Sequence, residues 1–174
     1  MRIVNINNEI YLYELDSESE LIEYTKEKYG IIIGNNIQNK NKFYVFEFLI
    51  NSVKSVVGVL NEGHGIIPQG IKISNENVMV LSSDKSVYFY NTISKEVVNK
   101  IQCDSLVYDV ISIENEEKIL VCCELGIQSL TTKGDKAWIY DCDIIDDFIL
   151  KENYMSLIIN ETEHKISLAD GKEI

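Results

Sequence analysis

The sequence predicts a mainly β protein of antiparallel meander sheets, with one short helix near its N-terminus. Three observations predict it. From residue 71 onward, runs of β-branched and aromatic residues alternate with short polar connections. One segment alone, Ser17 to Gly30, carries both a helix start and a helix stop signal. A strand–turn–strand unit also recurs, with starts at Val78, Ile119 and Met155, spaced by 41 (119 − 78) and 36 (155 − 119) residues.

The elements follow in order. Ile3, Val4 and Ile6, then Ile10 to Tyr13, flank Asn7-Asn8 and read as a hairpin. Ser17 and Glu20 form a capping-box pattern: the hydroxyl accepts from a backbone N–H and the carboxylate reaches back. Leu21, Ile22, Tyr24 and Tyr29 follow, and Gly30 is a natural terminator, so a helix is expected over 18–29. Ile31–Ile33 is a short strand, and Phe43–Ile50 and Val53–Leu60 are two long ones joined by a tight turn at Asn51-Ser52. Gly63-His64-Gly65 and Pro68 to Gly70 mark an irregular loop. Strands are then expected at 71–74, 78–81, 87–90, 97–101, 107–113, 119–123, 127–130, 137–140, 144–150, 155–159 and 165–168. The 174 residues fit a single domain, with two lobes possible at 1–70 and 71–174.

Charge is the most informative bulk property. The net charge is −12 and it is uneven. Residues 1–100 carry 10 basic and 12 acidic groups, and residues 101–174 carry 6 and 16, giving −2 and −10. A field of that sign repels phosphate backbones and attracts a basic partner, so no nucleic acid is expected as a direct ligand. No apolar run of about 18 residues exists to span a membrane, and no secretory leader is recognisable, so a cytoplasmic location is expected. The 4 cysteines, Cys103, Cys122, Cys123 and Cys142, form no C-x-x-C pattern and are expected to be reduced, mostly buried thiols. Cys122 and Cys123 are adjacent in a strand and should point to opposite faces.

Catalytic and cofactor signatures are absent. There is no phosphate-binding glycine loop, no G-x-S-x-G and no H-E-x-x-H, so neither an enzyme nor a cofactor or metal protein is expected. His64, between two glycines, is the best candidate for a general base, and a small hydrolase would need a carboxylate beside it. Asp141, Asp143 and Glu152 fall at positions 1, 3 and 12 of a calcium loop, but Ile145 at position 5 and Asp146 at position 6 break that pattern. The densest acidic run, Asp141, Asp143, Asp146 and Asp147, is instead a candidate docking surface for a basic protein, with Glu114, Glu116, Glu117 and Glu124 expected nearby. Trp138, at an alternating position, is expected in the core.

The stretch from Gly58 to Gly171 resembles the blades of WD-repeat and quinoprotein-type propellers. Val57-Gly58-Val59-Leu60 with Gly63-His64-Gly65, and Glu124-Leu125-Gly126-Ile127 followed by Lys133-Gly134-Asp135 and Trp138, resemble a family of small bacterial proteins. Some members of that family are encoded beside secreted toxins and look like immunity proteins of contact-dependent inhibition systems. The resemblance implies a non-catalytic inhibitor that blocks a basic toxin such as a nuclease. Its alternative is a propeller-like interaction module with no toxin partner. Two and a half units cannot close a ring of at least four blades, so the expected fold is an open half-propeller-like arrangement or a two-sheet sandwich. The N-terminal strands and helix should cover what would otherwise be an edge.

Overall fold

The computed structural model describes residues 2–7, 10–34, 39–50, 53–73, 77–113 and 117–174. Its first sheet contains β1 (Arg2–Asn7), β2 (Ile10–Leu15), β3 (Ile31–Ile33), β4 (Lys42–Ile50) and β5 (Val53–Asn61), in the order β1-β2-β4-β5-β3, with α1 (Glu18–Glu27) inserted after β2. The second is β6 (Gly70–Lys72), β7 (Val78–Ser83), β8 (Ser86–Asn91) and β9 (Glu96–Gln102). The third is β10 (Val107–Ile113), β11 (Lys118–Cys123), β12 (Gly126–Thr131) and β13 (Lys136–Asp141). The fourth is β14 (Ile145–Leu150), β15 (Tyr154–Ile159) and β16 (Thr162–Ser167). The last three sheets are consecutive antiparallel meanders, and none closes into a barrel. The expected turn at Asn51-Ser52 lies outside the described residues.

The sheets stack in chain order, and side-chain parity explains the stack. In β11, Ile119, Val121 and Cys123 face the second sheet while Leu120 and Cys122 face the fourth. A strand covered on both faces loses polar alternation, so residues 119–123 read as a continuous apolar run. In β7, Met79 and Leu81 pack on Leu12, Phe46 and Val57 of the first sheet, and Val80 packs on Val107 and Val121 of the third. The strands β9 and β13, farthest from β6 and β10 in their sheets, alternate between half-buried and exposed residues.

The N-terminal segment covers the stack's first face rather than an edge. The first sheet lies face-on against the second, and α1 covers its far side through Leu21 and Tyr24 on Val45, Val56 and Leu60. Ser17 caps α1 by accepting from the Glu20 N–H at 3.2 Å. The Glu20 carboxylate reaches back to the Asp16 N–H at 3.0 Å, one residue earlier than a capping box requires. At the other end the left-handed residue is Tyr29, with φ 52, not Gly30. Gly30 serves a different need: a Cβ there would lie 2.5 Å from the Val56 carbonyl oxygen. Glycine is required by crowding, and the turn falls to its neighbour.

The fourth sheet's two faces differ. Met155, Leu157, Ile159 and Ile166 pack on the third sheet. The opposite face presents Asp147, Ile149, Tyr154, Ser156, Ile158, Glu163 and Lys165, and Ile149 is 52% exposed. The matching hairpin positions of the third sheet are apolar: Leu120 stands where Ser156 does, and Ile127 where Glu163 does. The Ser156 hydroxyl donates to Glu163 at 2.6 Å, and Lys165 lies 3.7 Å from the same carboxylate. Polar and charged groups thus share the fourth sheet's outer face with Ile149, Tyr154 and Ile158.

Candidate functional site

Antiparallel meanders place alternate connections at opposite ends of the strands. The register of the three repeat sheets puts the β7–β8 turn, the β9–β10 loop, the β11–β12 turn, the β13–β14 loop and the β15–β16 turn along one rim. Backbone hydrogen bonds chain them together. Val107 N–H donates to the Asp84 carbonyl at 2.8 Å, Glu124 N–H to Leu106 at 2.8 Å, and Ile145 N–H to Glu124 at 2.9 Å. The Leu125 N–H donates to the Ser105 hydroxyl at 3.0 Å, and the Asn160 side chain donates to Asp143 at 3.3 Å.

This rim is acidic. It gathers Glu62, Asp84, Asp104, Glu124, Asp141, Asp143 and Asp146, with Lys85 and the His64 imidazole among them. Asp104, Glu124, Asp141, Asp143 and Asp146 have no ion-pair partner among the described residues. Asp146 sits at the register shift of β14, and Asp147 one residue on points to the fourth sheet's open face. The field of these carboxylates reaches a neighbour: burial first, then Glu124 and Asp146, push the Tyr108 phenol above its ordinary range.

The expected docking residues are therefore split. Asp141, Asp143, Asp146 and Glu124 come together, with Asp147 beside them. Glu117 precedes β11 and stands at the opposite rim, and Glu114 and Glu116 lie outside the described residues. Glu152, in the β14–β15 turn, is also at the far rim, so it cannot complete a calcium loop with Asp141 and Asp143. Asp84 and Asp104, both missed in the sequence, join the rim through strand counting: each flanks a connection at the same end as Glu124.

A cleft of about 240 Å³ opens in this rim, lined by Asp104, Ser105, Cys123, Leu125, Gln128, Ile139, Asp141 and Cys142 among others. Gln128 is only 6% exposed, and its side-chain carbonyl has no hydrogen-bond donor. Burial, then Asp143 and Asp141, push the Cys142 thiol up to about 11, which keeps it neutral at pH 7. All four cysteines are free thiols, and Cys122 and Cys123 face different cores.

The rim continues to the first sheet through a polar clasp. His64 Nε2 lies 2.7 Å from Glu62 Oε2, and the Glu62 N–H donates to both oxygens of the buried Asp84 at 3.2 Å. Burial raises the Asp84 carboxyl, and the Glu62 N–H opposes that rise. Ligand atoms of Glu62, His64 and Asp84 lie within 4.8 Å of one another, so these three could hold a metal ion. The nearby Ser83 hydroxyl, the group closest in kind to a nucleophile, is bonded to Asn61 and Asp84 rather than to His64. An open groove of about 620 Å³ with Asn39, Lys40 and Asn41 borders the histidine.

The stacked four-stranded meanders match solved β-propellers. The β-propeller domain of Myceliophteria thermophila Cps50 (Swd1) is similar, with a TM-score of 0.52 at 6% identity over 75% of this chain and 52% of that one. The fold is propeller-like. Kluyvelomyces marxianus Hsv2 also aligns, with a TM-score of 0.48 at 14% identity over 75% of this chain and 46% of that one. The chain thus spans about half the length of the propeller domain it matches. No family model matches the chain, and no curated protein is similar to it. No helix among the described residues is long and apolar enough to cross a membrane.

Proposed function

We propose that this chain is a non-catalytic, propeller-like interaction module whose acidic rim docks a basic surface of another protein. The observation that carries the reading is the row of carboxylates with no ion-pair partner among the described residues, Asp104, Glu124, Asp141, Asp143 and Asp146, on one rim of the stack. Unpaired charges gathered on one side keep their field outside the molecule, where they speed encounter with an oppositely charged partner. The clasp around His64 supplies a histidine–carboxylate pair, and among the described residues no hydroxyl or thiol is bonded to that histidine, which favours binding over hydrolysis.

A narrower form of the reading is inhibition of a basic toxin, probing the same rim. A nuclease must be cationic where it holds phosphates, and a ridge of carboxylates offers that surface a substitute for nucleic acid. The test is co-purification with the product of the neighbouring gene, followed by affinity titration at low and high salt. Replacing Asp141, Asp143 and Asp146 with asparagine should weaken binding and flatten its salt dependence. Binding unaffected by salt or by that triple variant would remove the rim from the interface. A bound partner that has no toxicity to lose would leave the general interaction module and remove the inhibitor.

A further inference from the structure

We propose that the cleft between the β9–β10 loop and β13 is a seat for a single lysine or arginine side chain of the partner. The inference deepens the docking reading and rests on it. Three features of the cleft converge on that ligand. The Asp104 and Asp141 carboxylates line it with no ion pair among the described residues, the nearest recorded ammonium being Lys85, which donates to the Asp104 backbone carbonyl at 3.4 Å. Leu125 and Ile139, 43% and 45% exposed, offer apolar flanks along which an aliphatic stem can lie. Gln128, buried in the wall, has a side-chain carbonyl with no donor, which favours a ligand rich in N–H groups.

Size decides what enters. Pockets for whole small molecules run from about 300 to 1,000 Å³, and this one, at about 240 Å³, falls below that range. It suits one side chain rather than a cofactor. Sign decides the rest: an anionic residue meets two carboxylates, and a purely apolar one leaves them and Gln128 without a partner.

The test is an amide chemical-shift titration of the full ¹⁵N-labelled chain at low salt. The probes are N-acetyl-lysine methylamide, N-acetyl-arginine methylamide and the uncharged N-acetyl-norleucine methylamide. The cationic probes should produce saturable shifts at Ser105, Gly126, Gln128 and Asp141, and norleucine should not. Asp141→Asn and Asp104→Asn, both conservative and at exposed positions, should each weaken the cationic probes by about two- to fivefold. Shifts that fail to saturate, that appear equally with norleucine, or that spread evenly over the rim would overturn the seat. A chain that still binds its partner in a salt-sensitive way but fails this titration keeps the docking rim and loses the seat. Saturable shifts with no basic partner captured would instead remove the docking reading and leave a cation-binding cleft.

Discussion

Glu47 lies on the helix-facing side of the first sheet, 7% exposed, where a carboxylate is costly unless it is paired. It accepts from the Tyr24 hydroxyl at 2.8 Å, and the Lys28 and Lys54 ammonium groups lie 3.2 and 3.1 Å away. Lys28 also sits 4.5 Å above the Tyr24 ring. Burial raises the Glu47 carboxyl, but the hydrogen bonds from Tyr24, Lys54 and Lys28 outweigh it and hold the group below its ordinary range. The folded chain then binds fewer protons here than the unfolded chain does. This stabilisation is complete above the ordinary glutamate range and is lost as pH falls through the folded value. Glu47→Gln should cost about 1–3 kcal/mol at pH 7, below the full cost of breaking a buried pair because both lysines are partly exposed. Urea denaturation at pH 7 and at pH 3 measures it, and the difference between variant and parent should shrink at the lower pH. None of this was legible in the sequence, where Glu47 is one polar residue inside an aromatic strand and its partners lie 19 to 23 positions away or across a turn.

Elements were more legible than their partners. The strand runs and the capped helix follow from local periodicity, and the observed bounds match them within a few residues, except at β16. That strand begins at Thr162 because Asn160 and Glu161 make the turn with φ 49 and 63, conformations usually signalled by glycine. The parallel pairing of Ile31–Ile33 with Val57–Val59 was not legible, since a three-residue run carries no information about a partner so far along the chain. Gly58 is the element-level key to that region. A Cβ there would meet Thr25 Oγ1 at 2.7 Å and Leu21 Cδ1 at 3.0 Å, so its absence lets α1 sit directly on β5. Gly58→Ala should lift the helix and cost about 1–3 kcal/mol. Thermal denaturation reads that cost, and hydrogen exchange should speed up in α1 while the third and fourth sheets keep their protection.

For the whole molecule, the repeat was visible but the rim was not. Spacings of 41 and 36 residues pointed to repeated β units, and three consecutive meanders carry them. The acidic residues were grouped by nearness in sequence, whereas space groups them by strand parity, which sends Glu117 to one end and brings Asp84 and Asp104 to the other. Counting strand reversals would have found them. Parity also sets what the fourth sheet's outer face presents. Replacing Ser156 with Leu and Glu163 with Ile, the residues at the matching positions of the third sheet, should turn that face adhesive. Sedimentation velocity checks this: the double variant should self-associate at concentrations where the parent does not.

The one-sided burial of the fourth sheet also sets an order of opening. Each inner sheet is clamped between two neighbours, so exposing it means breaking two cores, whereas the fourth gives up a single core, shared with Leu120, Cys122, Ile127, Ile111, Ile113, Trp138 and Tyr140 of the third sheet. A fluctuation can therefore peel β14, β15 and β16 away while the rest stays folded. Such peeling would carry Asp143 and Asp146 off with it and leave Asp104 and Glu124 in place. A partner that bridges both sets of carboxylates would act as a staple, and protection of β15 amides should rise on binding more than protection anywhere in the second sheet.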